Sequence, residues 1–144
     1  MKMLSILLFF LLASCTKNTT GDFPMETSLE KLSQYISLPE YALEAKWTVI
    51  ENSPNDWSLV ALISINKEKV GEMKREILNE IRIIPKLEWF PEQLISELES
   101  YNEDYYLVKP KKFKANDFYS SPLSYGYYML YDNDNTLLLH LFTT

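Results

Sequence analysis

KEKVGEMKREILNEIRI, residues 67–83, decides the fold class of this chain. Val70, Met73, Ile77, Ile81 and Ile84 step by three and four with charged residues between them, the spacing of one apolar helix face. The pattern predicts an amphipathic helix from Lys67 to about Ile83, stopped by Pro85. Pro91 then suits a first helical position, and Leu94, Ile95, Leu98 and Tyr101 build a second apolar face. Two central helices make the expected domain α+β.

On either side of this region the apolar period changes to two. Leu43 to Val49 alternates apolar with polar residues, the mark of a half-buried strand, and Asn52-Ser53-Pro54-Asn55-Asp56 is a turn cluster. Trp57 to Ile65 alternates again, with Trp57, Leu59, Ala61 and Ile63 on one face. Val60 and Leu62 make its other face apolar too, so this strand is expected to be central. Tyr125–Tyr131 and Thr136–Phe142 flank the turn formers Asp132-Asn133-Asp134-Asn135 and predict a second hairpin. A short helix from Thr27 precedes all of these. Thr27 and Glu30 have capping-box spacing, Leu29, Leu32 and Ile36 share a face, and Pro39 lies past the end. The order β-β-α-α-β-β predicts an antiparallel sheet of about four strands with helices packed on one face, forming a single domain over residues 27–144.

The first residues follow a different logic. Lys2 supplies a positive start, Leu4 to Leu12 form an apolar run broken only by Ser5, and Ala13 and Ser14 lead to Cys15. Those three parts are a secretory signal over residues 1–14. The run is short of the roughly 20 apolar residues that span a bilayer. Leu12-Ala13-Ser14-Cys15 resembles the lipobox of bacterial lipoproteins. The resemblance covers only these first fifteen residues, and the family of the remaining chain is not recognised. It implies that Cys15 is lipidated and becomes the first residue of an exported, membrane-anchored protein on the periplasmic side of the cell envelope. Thr16, where enterobacterial inner-membrane lipoproteins carry Asp, favours the outer membrane. Two or three acyl chains, at roughly 0.8 kcal/mol per buried methylene, form an anchor that hardly dissociates. Residues 15–26 then read as the lipidated cysteine and a polar tether, of which residues 16–26 span about 35–40 Å when fully extended.

Cleavage before Cys15 takes 14 of the 144 residues and one of the 14 basic side chains, against 20 acidic ones that all remain. Such an acidic chain is a poor partner for nucleic acid. A 47% hydrophobic content belongs to a globular domain with a packed core. Cys15 is the only cysteine, so no disulfide staples that domain, and the three glycines form no phosphate-binding loop.

Catalytic and metal motifs are not met. His140, the only histidine, sits in the last strand between Leu139 and Leu141 with no cysteine or nucleophile elbow to join it. Asp132, Asp134 and Thr136 begin an EF-hand spacing, but Leu137 stands where glycine is needed and Thr143 where a bidentate Glu is needed. Glu92, Glu97, Glu99, Glu103 and Asp104 read as a solvated face. No residue is therefore assigned to catalysis or to a metal, and no cofactor is implied.

Two stretches point to binding instead. Lys109, Lys111, Lys112 and Lys114 make a basic patch in an acidic protein, suited to anionic headgroups or an acidic partner. Tyr125, Tyr127 and Tyr128 follow in a tyrosine-rich strand; Tyr125, Tyr127, Met129 and Tyr131 share one face and Tyr128 and Leu130 the other, so one face is core and the other a candidate recognition surface. The expected function is a non-catalytic, lipid-anchored envelope protein whose domain binds an envelope or incoming protein. In general type it is similar to immunity and accessory lipoproteins, and an immunity role implies that deletion harms the cell only when a cognate toxin arrives. The rival readings are a cell-wall-directed enzyme or small-ligand binder using His140, and a purely structural lipoprotein.

Overall fold

The two hairpins of the sequence lie side by side and build the centre of the molecule. The computed structural model describes residues 23–133 and 135–143. The expected signal, the lipobox and Cys15 lie outside the described residues. The strands are β1 (Ala42–Ser53), β2 (Asp56–Ile65), β3 (Ile77–Leu78), β4 (Arg82–Pro85), β5 (Glu99–Ser100), β6 (Tyr105–Val108), β7 (Lys112–Lys114), β8 (Tyr125–Tyr131) and β9 (Thr136–Phe142). Six of them form an antiparallel sheet in the order β1-β2-β9-β8-β7-β3, and β4-β6-β5 form a second, smaller antiparallel sheet. Among the described residues, helix is confined to α1 (Leu29–Leu32), α2 (Glu92–Ile95) and 3-10 segments at Lys67–Glu72 and Asn116–Phe118.

This two-sheet, mostly β architecture overturns the expected α+β fold of about four strands with helices on one face. The long helix over 67–83 does not form. Its first part is the 3-10 turn Lys67–Glu72, capped by the Asn66 side chain, which accepts from the Glu68 amide; the rest becomes β3 and β4. The reason lies in where its apolar residues go. Val70 and Met73 join a core cluster on one face of the large sheet, and Ile84 joins the cluster on the other. The eleven steps from Met73 to Ile84 cover about 36 Å when extended but only about 17 Å as helix, and only the extended chain can pass around the sheet edge. Ile77 is 47% exposed and Ile81 82% exposed, so the expected helical stripe is never a buried face. β-Branched isoleucine also favours the extended state. The second expected helix shrinks to one turn, because Leu98 is followed directly by β5.

Burial on both faces organises everything else. β2 sits between β1 and β9, as its two apolar faces predicted. Leu59, Ala61, Ile63, Leu137, Leu139 and Leu141 point to the first cluster, where α1 contributes Leu32 and the chain after it Ile36. Val60, Leu62 and Leu138 point to the second, covered by Ile84 and Val108 of the small sheet and Leu94 of α2. α1 is capped by Ser28, whose Oγ accepts from the Lys31 amide at 3.1 Å, one residue later than the capping box would have placed it. Residues 23–26, expected to belong to the tether, are bound to the domain: Glu26 exchanges both backbone hydrogen bonds with Trp47, and Thr48 donates its hydroxyl to the Pro24 carbonyl at 2.9 Å. This segment runs antiparallel to β1, so the chain enters the domain from the Ile50–Ser53 end.

Gly126 in β8 has φ of +149° opposite Leu141, and an added Cβ would lie 2.1 Å from the His140 carbonyl oxygen and 2.9 Å from the Leu141 Cα. Both obstacles are backbone of β9. Gly126→Ala is expected to lower stability by more than about 2 kcal/mol, read as a fall in the urea midpoint, with Ser124→Ala unchanged as a control.

Candidate functional site

The basic segment 109–114 ends in β7, and the structure distributes its four lysines among three environments. Lys109 is ion-paired with Glu99 of β5, and Lys114 with Glu76 at the edge of the large sheet. Lys112 is buried, with its Nζ donating to the Val108 carbonyl at 2.9 Å and reaching the Pro110 carbonyl at 3.5 Å. Burial, and then the Arg82 guanidinium, hold its pKa below the ordinary lysine value. Lys112 is thus a clamp on its own loop and not part of a surface patch. Lys111 is exposed and has no ion-pair partner among the described residues.

The tyrosine strand is likewise absorbed by the fold. Tyr127 is buried in the second cluster and Tyr128 in the first, since both faces of β8 are covered. The Tyr128 hydroxyl donates to the Lys74 carbonyl at 2.5 Å, and burial pushes its pKa up to about 12. Burial also raises the Tyr127 pKa. Neither side chain can recognise a partner; of the three, only Tyr125 reaches the surface, 48% exposed and stacked on Phe142 at 6.4 Å.

His140 lies beneath that pair. Its Nδ1 is 3.2 Å from the Tyr127 hydroxyl, and its ring meets Tyr127 and Phe142 edge to face at 5.5 and 5.4 Å. Arg82 closes the cluster, with its guanidinium 5.3 Å from the Phe142 ring centre and an ion pair to Glu80. Burial, and then Arg82, lower the His140 pKa from 6.5 to about 4, so the ring is neutral at pH 7. It is packed as a core residue.

Among the described residues several hollows open to solvent, two of them sizeable. The larger, about 670 Å³, lies where β1 begins and β8 ends, lined by Leu43, Glu44, Lys46, Ser64, Pro91 and Tyr131. The smaller, about 430 Å³, lies along the β3–β7 edge, lined by Arg75, Ile77, Pro110, Lys111, Phe113 and Leu130. No family model, curated protein or solved structure matches this chain. Its site is therefore read from chemistry alone. The sequence pointed to Lys111 but not to Arg75, Glu44 or Lys46, because these residues meet their neighbours only through strand pairing and carry no local motif.

Two outcomes follow from these placements. The folded state takes up the His140 proton less readily than the unfolded chain does, so stability is full above about pH 6.5 and falls as pH drops toward 4, by about 3 kcal/mol in all. His140→Leu should lose that part of the acid sensitivity, measured as the difference in Tm between pH 7.5 and pH 4.5, while leaving the Tyr127 hydroxyl unpaired at a cost of about 1–3 kcal/mol at pH 7.5. Lys112→Ala should lower the urea midpoint clearly, and Lys111→Ala should leave it unchanged, because only Lys112 satisfies buried carbonyls.

Proposed function

We propose that this chain is a lipid-anchored cell-envelope protein, held by acyl chains on Cys15, whose domain binds another protein and catalyses no reaction. The observation that carries this reading is the opposition of two ends. The chain enters from the Ile50–Ser53 end of β1, and the larger hollow opens at the Leu43–Lys46 end of the same strand. The resemblance of Leu12-Ala13-Ser14-Cys15 to a lipobox supplies the anchor. From Cys15 to Phe23 the chain has eight steps, which reach at most about 26–29 Å, so an anchored domain stays beside the membrane. Its hollow then lies at the end of β1 remote from the tether, where partners in the envelope can reach it. Open along one side, with Glu44 and Lys46 beside Leu43 and Tyr131, it suits a loop or side chain of a protein better than an enclosed small molecule. A cell-wall enzyme or ligand pocket built on His140 finds no support in a ring sealed against Tyr127 and Phe142.

Cells fed an alkynyl fatty acid should label this protein in the membrane fraction, and Cys15→Ala should abolish the label and the fractionation. A photo-crosslinking amino acid at Lys46 should yield one discrete protein adduct in cells, and the same amino acid at Lys69 should not. Absence of label overturns the anchor; identical adduct patterns at both positions, or none at Lys46, overturn the binding end.

A further inference from the structure

The smaller hollow differs from the rest of the surface in its charge. The protein carries a formal net charge of −6, yet the residues lining this hollow are two cations, Arg75 and Lys111, around the apolar surface of Ile77, Phe113, Leu130 and Pro110. The neighbouring carboxylates are engaged elsewhere. Glu76 pairs with Lys114, Glu80 with Arg82, and Asp117 with Lys74 at 3.8 Å. Arg75 and Lys111 have no carboxylate partner among the described residues. Arg75 is held in place by its Nη2, which donates to the Val70 carbonyl at 3.3 Å. Lys111 is set by its neighbour Lys112, which clamps the 108–110 loop. Ile77, on the outermost strand of the large sheet, is 47% exposed beside them.

We infer that this hollow docks an acidic segment of a protein partner, with an apolar side chain laid on Ile77, Phe113 and Leu130 and the adjoining carboxylates met by Arg75 and Lys111. The inference rests on the proposed protein-binding role and adds to it a second docking site, separate from the Leu43–Lys46 hollow, with the chemistry of the segment it takes. Apolar contact supplies affinity, and the two cations select an acidic sequence and orient it, since a neutral or basic segment would leave them unpaired. Arg75 adds a planar fork that matches a carboxylate, and Lys111 a mobile point charge.

The test uses the full-length protein in phosphatidylcholine vesicles and a fluorescein-labelled peptide of alternating Leu and Glu, compared with its Leu/Gln counterpart by anisotropy. The acidic peptide should bind at least tenfold more tightly, and the difference should shrink with added salt. Lys111→Glu should abolish the preference, and the double variant Arg75→Glu/Lys111→Glu should prefer a Leu/Lys peptide. Lys111 is exposed and has no ion-pair partner among the described residues, so its single variant carries the test even where the double variant fails to fold. Equal binding of the two peptides, binding of neither, or a preference untouched by Lys111→Glu overturns the inference. Two other results overturn it by assigning the hollow to a different occupant. One is self-association of the protein that Lys111→Glu removes. The other is sedimentation of the Cys15→Ala protein with phosphatidylglycerol vesicles that Lys111→Glu removes. Peptide affinity is read without fatty-acid labelling or the Lys46 adduct, so its failure leaves those results standing and theirs leaves it standing.

Discussion

Pairing of β2 with β9 joins two strands that are apolar on both faces, and the rest of the structure follows from having to cover both sides of that pair. A sheet with one wet face can stop at a single layer of helices. Here Leu59, Ala61 and Leu139 on one side and Val60, Leu62 and Leu138 on the other must all leave water. The chain meets that demand by dividing its middle third. The 3-10 segment at Lys67–Glu72 stays on the first face, the chain from β4 to β6 lies over the second, and Phe113, Ala115, Phe118 and Leu123 return to the first. The small sheet exists because residues 82–108 have to cover one face and the chain must still return to pair as β7 with β3 and β8 of the large sheet.

The same crossing determines the electrostatics. Carrying β3 and β4 around the sheet edge brings Glu76 to Lys114 and Arg82 over Phe142, and it sets Arg75 and Lys111 on either side of one hollow. Of the four lysines at 109, 111, 112 and 114, two are neutralised by carboxylates and one is buried on backbone carbonyls. Only Lys111 is thus left at the surface with no carboxylate partner among the described residues. The remaining cation acquires meaning only from Arg75, which lies thirty-six positions earlier in the chain.

Local pattern was a sound guide wherever local pairing decides structure. Both hairpins form at the residues that alternation and turn chemistry mark. Tyr125–Tyr131 and Thr136–Phe142 are strands with those bounds, and Asp132 and Asn133 take the positive φ angles that Asx residues tolerate. It misled where the same spacing serves two geometries. Isoleucines at 77, 81 and 84 step like a helix face, but the first two are exposed and the third is buried across the sheet from Val70. The warning was present in Val60 and Leu62, since a central strand with two apolar faces demands cover on both. The candidate site was less legible than the fold. Tyr127 and Tyr128 carry opposite faces of one strand, and whether either is wet depends on what the distant chain lays over them.

By itself the sequence determined the hairpins, the central position of β2 and the lipobox resemblance at Cys15, because each depends on residues adjacent in the chain or paired across a tight turn. Only the tertiary structure decided that residues 67–108 form cover for two faces instead of two helices. It alone decided that His140 and Lys112 are interior groups, and that Arg75 and Lys111 stand together. These follow from which face of the central sheet each segment buries, a free energy summed over contacts between segments far apart in the chain, which no local period records.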